Sequence, residues 1–243
     1  LQDHVMVALV MASRDPVTLV DAEKPGELLN YLARRRGMLT SNVGEAAAFF
    51  RTDGDLPAPD IELIFGPVPY IDHGQIEEDP GHGFALGPIL LQPQSRGSVT
   101  LASADPTVSP LIDPGYFTAA GDRATMRTGL RRALALLEVA PLASMVGEPI
   151  EAPAGDDDAS IDEFLDEQCE TLYHPDGTCA MGTDEDAVVD PELRVRGVEG
   201  LRVADASVMP SLNRGHTHAP AVMIGERAAV LVREVRTRPT VGR

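Results

Sequence analysis

The sequence predicts an α+β chain: an antiparallel sheet with helices on one face, followed by the closing strand and helix of a parallel sheet. Three observations lead there. Up to about residue 180, strand-like and helix-like runs mix without the strand–helix–strand alternation that builds a parallel sheet. Asp122 to Val139 carries a single apolar stripe, Met126, Leu130, Ala133, Leu134 and Leu137, as a helix lying on a core does. Residues 200 to 235 then read as one short apolar strand and one helix rich in small and aliphatic residues.

The elements follow in order. Val5 to Met11 is apolar enough for a buried strand and ends at Ser13-Arg14-Asp15-Pro16. Gly26 to Arg35 reads as a short helix with Leu28, Leu29 and Leu32 on one face, stopped by Gly37. Asn42 to Arg51 is a small-residue segment expected to pack closely or line a cavity, with Phe49 and Phe50 in the core. Asp60 to Phe65 reads as a strand. Phe84 to Gln92 and Gly97 to Ser103 read as neighbouring strands, and the alternation of Ser98 to Ala102 suggests a sheet with one wet face. Arg96 is expected to stabilise its turn through a salt bridge. Asp156-Asp157-Asp158 is read as a helix start, with Ser160 to Glu163 as a capping box, and not as a metal cluster. Residues 221 to 234 read helical behind Pro220, which suits a first turn. The end, Arg236 to Arg243, is expected to fray.

Bulk composition narrows the function. The 243 residues are 43% hydrophobic and 24% charged, and no apolar run approaches the length of about 20 residues that a membrane span needs. A net charge of −18 argues against nucleic acid, whose phosphates demand a basic face. Cys169 and Cys179 form no disulfide framework and have no metal-ligand spacing, so reduced thiols in a cytoplasmic protein are expected. Gly81-His82-Gly83 lacks the third glycine and the strand-to-helix setting of a dinucleotide fingerprint, and reads as a loop.

The chemistry concentrates late in the chain. Tyr173-His174-Pro175-Asp176-Gly177-Thr178-Cys179-Ala180-Met181-Gly182 presents an imidazole on a sharp turn. Val189 to Val195 and Gly197 to Pro210 follow, the second carrying Asp205-Ala206-Ser207 at the end of an apolar run. Gly215-His216-Thr217-His218-Ala219-Pro220 then leads into the last helix, whose N-terminus offers free N–H groups and partial positive charge. These blocks, in this order, resemble the C-terminal signature of the glucose-methanol-choline (GMC) family of FAD-dependent oxidoreductases. Pro93 to Val99, Ser103 to Pro106 and Ile112 to Pro114 also resemble the family, with Gln94 where lysine is common.

The resemblance implies more. Leu1-Gln2-Asp3-His4 is similar to a stretch the family carries near mid-chain, so the sequence is expected to be a C-terminal portion, either cut from a precursor or one chain of a nicked protein. Its partners are then a small-molecule alcohol and a missing N-terminal FAD-binding part. Residues 1–180 are expected to form the substrate-binding domain, and residues 181–243 the return into the FAD-binding domain. The resemblance makes His174 the base and His216 the second catalytic residue. It places Asp205, Ala206, Thr217, His218 and Ala219 at the FAD and Tyr173 at the substrate. His218 also reads as a helix cap. His4, His73 and His82 lie outside these motifs and receive no catalytic role.

Hydride transfer needs an acceptor that no side chain provides, so a cofactor is required, which the resemblance implies to be FAD, while a histidine near neutrality suits removal of the hydroxyl proton. The expected function is oxidation of an alcohol by hydride transfer to FAD. The alternatives are a flavin-containing hydroxynitrile lyase of the same fold and an inactive fragment that needs its N-terminal half.

Overall fold

The computed structural model describes residues 1–74 and 79–237, with side chains through residue 234. In chain order, the elements begin with β1 (Val5–Met6), β2 (Leu9–Ser13), α1 (Pro25–Arg34), β3 (Ala46–Phe50), β4 (Ile61–Gly66) and β5 (Gly83–Leu90). Then come β6 (Ser98–Thr100), β7 (Leu111–Asp113), α2 (Ala120–Leu137), β8 (Val146–Glu151), α3 (Asp158–Gln168), β9 (Glu170–Thr171) and α4 (His218–Thr237). Two compact units divide the chain and interleave along it. One gathers Leu1–His4, Gln92–Ala119 and Tyr173–Arg243; the other gathers Val5–Leu91 and Ala120–Leu172.

The second unit is a seven-stranded antiparallel sheet with helices on it. β5 is its centre, pairing with β4 on one side and with β1 and β2 on the other. Its residues are buried throughout, which explains their unbroken apolar run. One strand, Val5 to Met11, is expected here; two form in a single register on β5, interrupted opposite Pro88, which accepts the Val7 N–H but has no N–H to return. On one face Met6, Ala8, Val10, Ala85, Ile89 and Leu91 make a core with Ile150 and Leu172. α2 lies against β4 and β5, with Met126, Leu130, Ala133 and Leu137 buried as its stripe predicts, and α3 packs on α2. Arg127 clamps Asp162 between these helices, and Arg123 holds Asp166 at 2.5 Å.

Several expectations change in this unit. α1 forms as expected, and Leu28, Leu29 and Leu32 are exposed on it. Its polar face is the anchored one, since a Glu27 carboxylate oxygen accepts the Met38 N–H at 3.1 Å. Asn42 to Arg51 contains the outer strand β3, paired among the described residues with β4 alone, so Phe49 is 49% exposed where a core position is expected. Phe50 lies under the Arg132 guanidinium, 5.1 Å from the ring centroid. The cap of α3 is Asp157, accepting from the Ala159 and Ser160 N–H groups, and not Ser160. The acidic run is thus a helix start, one turn earlier than the capping-box pattern suggests.

In the first unit β6 pairs with β7 in a separate two-stranded ribbon, not beside β5. Alternation reveals a strand but not its partner. Arg96 donates to the carbonyls of Pro93, Gln94 and Ser95, so the turn is held by backbone acceptors in place of the expected salt bridge. Leu201 to Asp205 makes one antiparallel bridge, Arg194 to Arg202, and no named strand, because this unit offers it no further ladder. α4 starts earlier and runs longer than expected, and Ile224, Ala228 and Leu231 seat it on Val189, Leu193, Val208, Met209 and Leu212. Of Arg236 to Arg243, where fraying is expected, Arg236 and Thr237 belong to α4, and residues 238–243 lie outside the described residues. No described helix is long and apolar enough to cross a membrane. Cys169 and Cys179 are free.

Candidate active site

The first unit places three histidine rings in a row. His174 sits with its ring centroid 5.1 Å from that of His4 and 5.1 Å from that of His216, edge to face in both cases. The turn that carries His174 follows from local sequence. Pro175 fixes one dihedral, Gly177 adopts φ +78°, and Tyr173 is held at φ 60°, a conformation uncommon for a side-chain-bearing residue. Tyr173 is consequently turned outward and is 59% exposed.

Leu1 to His4 braces this turn from beneath. Gln2 and Asp176 exchange backbone hydrogen bonds at 3.0 and 2.9 Å, and the His174 N–H donates to Asp3 Oδ1 at 3.0 Å. The Tyr116 hydroxyl donates to the other Asp3 oxygen at 2.6 Å. His4 is wholly buried, with its Nδ1 2.9 Å from Nδ1 of His174 and its Nε2 3.1 Å from the Asn213 carbonyl oxygen. Asn213 in turn donates its side-chain amide to the carbonyls of Gly215 and His216, shaping the loop that presents His216.

Electrostatics follow from this crowding. Burial, then the neighbouring His4 and His216, pull the His174 pKa down to about 4, against a smaller opposing pull from Asp3. His174 is thus a neutral imidazole across the neutral pH range. Asp176 is 1% exposed, and neither carboxylate oxygen has a hydrogen-bond partner among the described residues. Burial first, and Asp3 second, push its pKa up to about 7.

The remaining predicted residues form a second group. Asp205 caps the 3₁₀ turn Ala206–Val208, accepting the Ser207 N–H at 2.9 Å and its hydroxyl at 2.5 Å. Ala206 packs against the core under α4. The Cys179 and Met181 N–H groups donate to the carbonyls of Ser207 and Val208, tying the His174 motif to the Asp205 motif. At the start of α4 the Ala221 N–H closes the first turn onto the Thr217 carbonyl. The N–H groups of His218 and Ala219 therefore precede the helix's own ladder, and Pro220 has none. Thr217 is buried, while His216, His218 and Ala219 are exposed. Among the described residues no group of His, Cys, Asp or Glu could hold a metal ion.

A family model described as GMC oxidoreductase matches residues 93–225. The chain belongs to the GMC oxidoreductase family. An uncharacterised GMC-type oxidoreductase of Mycobacterium tuberculosis is 53% identical over 238 residues, covering 96% of this chain and 44% of that protein. An alcohol dehydrogenase [acceptor] of Pseudomonas putida is 39% identical over 97% of the chain and 44% of its own length. An oxygen-dependent choline dehydrogenase of Vibrio vulnificus is 36% identical, over 96% and 42%. Among solved structures, pyridoxine 4-oxidase from Mesorbium loti superposes with a TM-score of 0.79 at 28% identity, over 96% of this chain and 43% of its own. A variant of Aspergillus oryzae formate oxidase studied for FAD modification gives 0.86 at 26%, over 96% and 46%. This GMC chain thus spans less than half the length of the relatives it matches.

Sequence reasoning passed over Asp3, His4, Tyr116, Asp176 and Asn213. The one available signal was Leu1-Gln2-Asp3-His4, which marks a family position and also supplies two of the groups that hold His174.

Proposed function

We propose that this chain is the C-terminal part of an FAD-dependent oxidoreductase that oxidises a small alcohol to a carbonyl compound, with His174 as the base. The observation that carries the reading is the His174 imidazole, held neutral at the end of a braced turn with His216 edge-on beside it. Nε2 of His174 has no hydrogen-bond partner among the described residues, which leaves a lone pair for a hydroxyl proton. His216 orients the alcohol oxygen. Tyr173, outward on its strained backbone, lines the substrate's approach. The names of the Pseudomonas putida and Vibrio vulnificus relatives, an alcohol and a choline dehydrogenase, support an alcohol substrate.

FAD, when bound, supplies the hydride acceptor. The residues present fit such a group: the early N–H groups of His218 and Ala219 point out of a helix N-terminus, where an electron-rich ring edge or developing anion is favoured. Thr217 and the Asp205–Ala206 turn are assigned to the same cofactor by the family resemblance. Asp205 contributes through the turn it caps, since its Oδ1 is already engaged by Ser207. Residues 1–180 are assigned to substrate binding and residues 181–243 to the return toward the FAD-binding part, the rest of which a further polypeptide portion supplies. A cytoplasmic setting with both thiols reduced goes with this reading.

The test is flavin reduction in the full-length protein. Absorbance near ~450 nm should bleach on adding an alcohol, and His174→Ala should keep the flavin but slow bleaching by roughly 10²- to 10⁴-fold. A bound flavin that no alcohol bleaches, with cyanohydrin cleavage in its place, would overturn the oxidoreductase reading in favour of a lyase.

A further inference from the structure

We infer that His4 fixes the tautomer of His174 and so selects which ring nitrogen receives the alcohol's proton. The inference rests on the reading of His174 as base. Nε2 of His4 lies 3.1 Å from the Asn213 carbonyl oxygen. A carbonyl oxygen only accepts, so this nitrogen carries a hydrogen. His4 is wholly buried, which favours the uncharged ring, and a neutral imidazole has one N–H, which leaves Nδ1 of His4 as a bare lone pair. That lone pair is 2.9 Å from Nδ1 of His174, and a contact of this length between two ring nitrogens needs one hydrogen between them. The hydrogen therefore belongs to His174. His174 is the Nδ1–H tautomer, and its Nε2 is the basic atom.

The relay starts from a backbone group. The Asn213 carbonyl is a fixed acceptor with no alternative protonation state, and it imposes a direction on two successive rings. An imidazole whose second nitrogen is held by a hydrogen bond is how proteins commonly set histidine tautomers. Here the acceptor is a neutral ring, where a carboxylate would raise the basicity of His174. The choice agrees with a His174 that stays unprotonated until an alcohol arrives. On taking the hydroxyl proton at Nε2, His174 would carry the positive charge, the hydride acceptor being what bound FAD would supply. Its Nδ1–H then becomes a charge-assisted donor to His4, a stronger bond than the neutral one it replaces. In the opposite tautomer Nε2 would already hold a hydrogen and could accept nothing. His4 is a positioning residue, and it does not touch the reacting atoms.

The experiment is ¹⁵N NMR of the full-length holoenzyme with labelled histidine at neutral pH. Nδ1 of His174 is expected to be protonated and Nε2 to be pyridine-like; the reverse assignment overturns the inference without any variant. Two substitutions add a kinetic readout. His4→Asn places an amide oxygen near the Nδ1 position and should hold flavin reduction within roughly tenfold of the parent, whereas His4→Leu, with no acceptor, should lower kcat roughly 10- to 100-fold at similar KM. A His4→Leu protein that folds, binds flavin and reduces it at the parental rate also overturns the inference. Retention of the rate by His174→Ala would strike down the base assignment alone, since the tautomer measurement would still stand.

Discussion

Asp3 accepts the His174 backbone N–H through one carboxylate oxygen at 3.0 Å and the Tyr116 hydroxyl through the other at 2.6 Å. One buried carboxylate thus joins the start of the chain, the loop after β7 and the His174 turn. Asp3→Asn converts one acceptor into a donor facing another donor. The expected loss is about 1–3 kcal/mol of stability, with Tyr116→Phe costing about 1 kcal/mol. Because a small misplacement of a reacting group is expensive, Asp3→Asn should also slow flavin reduction by roughly tenfold. Denaturant titration and stopped-flow reduction separate the two effects. Lost stability at an unchanged rate would assign Asp3 to folding alone.

The depressed His174 pKa has two consequences with the same sign. The folded protein leaves His174 neutral down to about pH 4, while the unfolded chain protonates it near 6.5. As pH falls between those values the unfolded state binds the extra proton, so this residue's contribution destabilises the fold, on the order of 2 kcal/mol after solvent screening. For the reaction, kcat/KM should stay level from neutral pH down to near 5 and fall only toward 4. A kcat/KM profile that breaks near 6.5 would show His174 titrating as an ordinary surface histidine.

Asp176 runs the other way. Its folded pKa stands near 7, above the value of about 3.9 for an unfolded aspartate, so between the two the folded state holds a proton the unfolded state has released. Its contribution is present at low pH and is lost as pH rises from 4 through 7, by a few kcal/mol. Asp176→Asn keeps the shape of the neutral acid and cannot ionise. The variant should match the parent near pH 4 to 5 and be the more stable protein at pH 8. Urea midpoints at the two pH values decide it; equal midpoints at pH 8 would mean that Asp176 ionises in the fold at little cost.

Much of the architecture was legible in the sequence, and the gaps have physical reasons. The stripe of α2 is read correctly because four side chains at helical spacing meet one sheet face. α1 forms where its pattern predicts, while its anchor is a tertiary fact: Glu27 accepts the Met38 N–H, eleven residues away. β6 looks like a neighbour of β5 because a strand's partner is a tertiary fact, set here by β7. In the candidate site, His174 and His216 stand out in the sequence because each lies in a motif local to its own turn. The Leu1-Gln2-Asp3-His4 stretch marks a family position but not what His4 does, because its meaning depends on a ring 170 positions away.

Gly129 tests the packing of α2 on the sheet. A Cβ at this position would stand 3.0 Å from Cβ of Pro88 and 3.3 Å from Cδ1 of Ile61, closer than ordinary van der Waals contact. Gly129→Ala raises helix propensity by up to about 1 kcal/mol. Overpacking a core typically costs about 1–3 kcal/mol. The Pro88 ring belongs to the central strand and cannot rotate away, so packing should win, with a net loss of about 1 kcal/mol. Ile61→Val removes Cδ1 and gives back part of the space, so the double variant should lose less than the two single losses added together. The measurement is a double-mutant cycle by urea denaturation. A stabilised Gly129→Ala protein would mean that α2 lifts from β5 easily and that propensity governs this position.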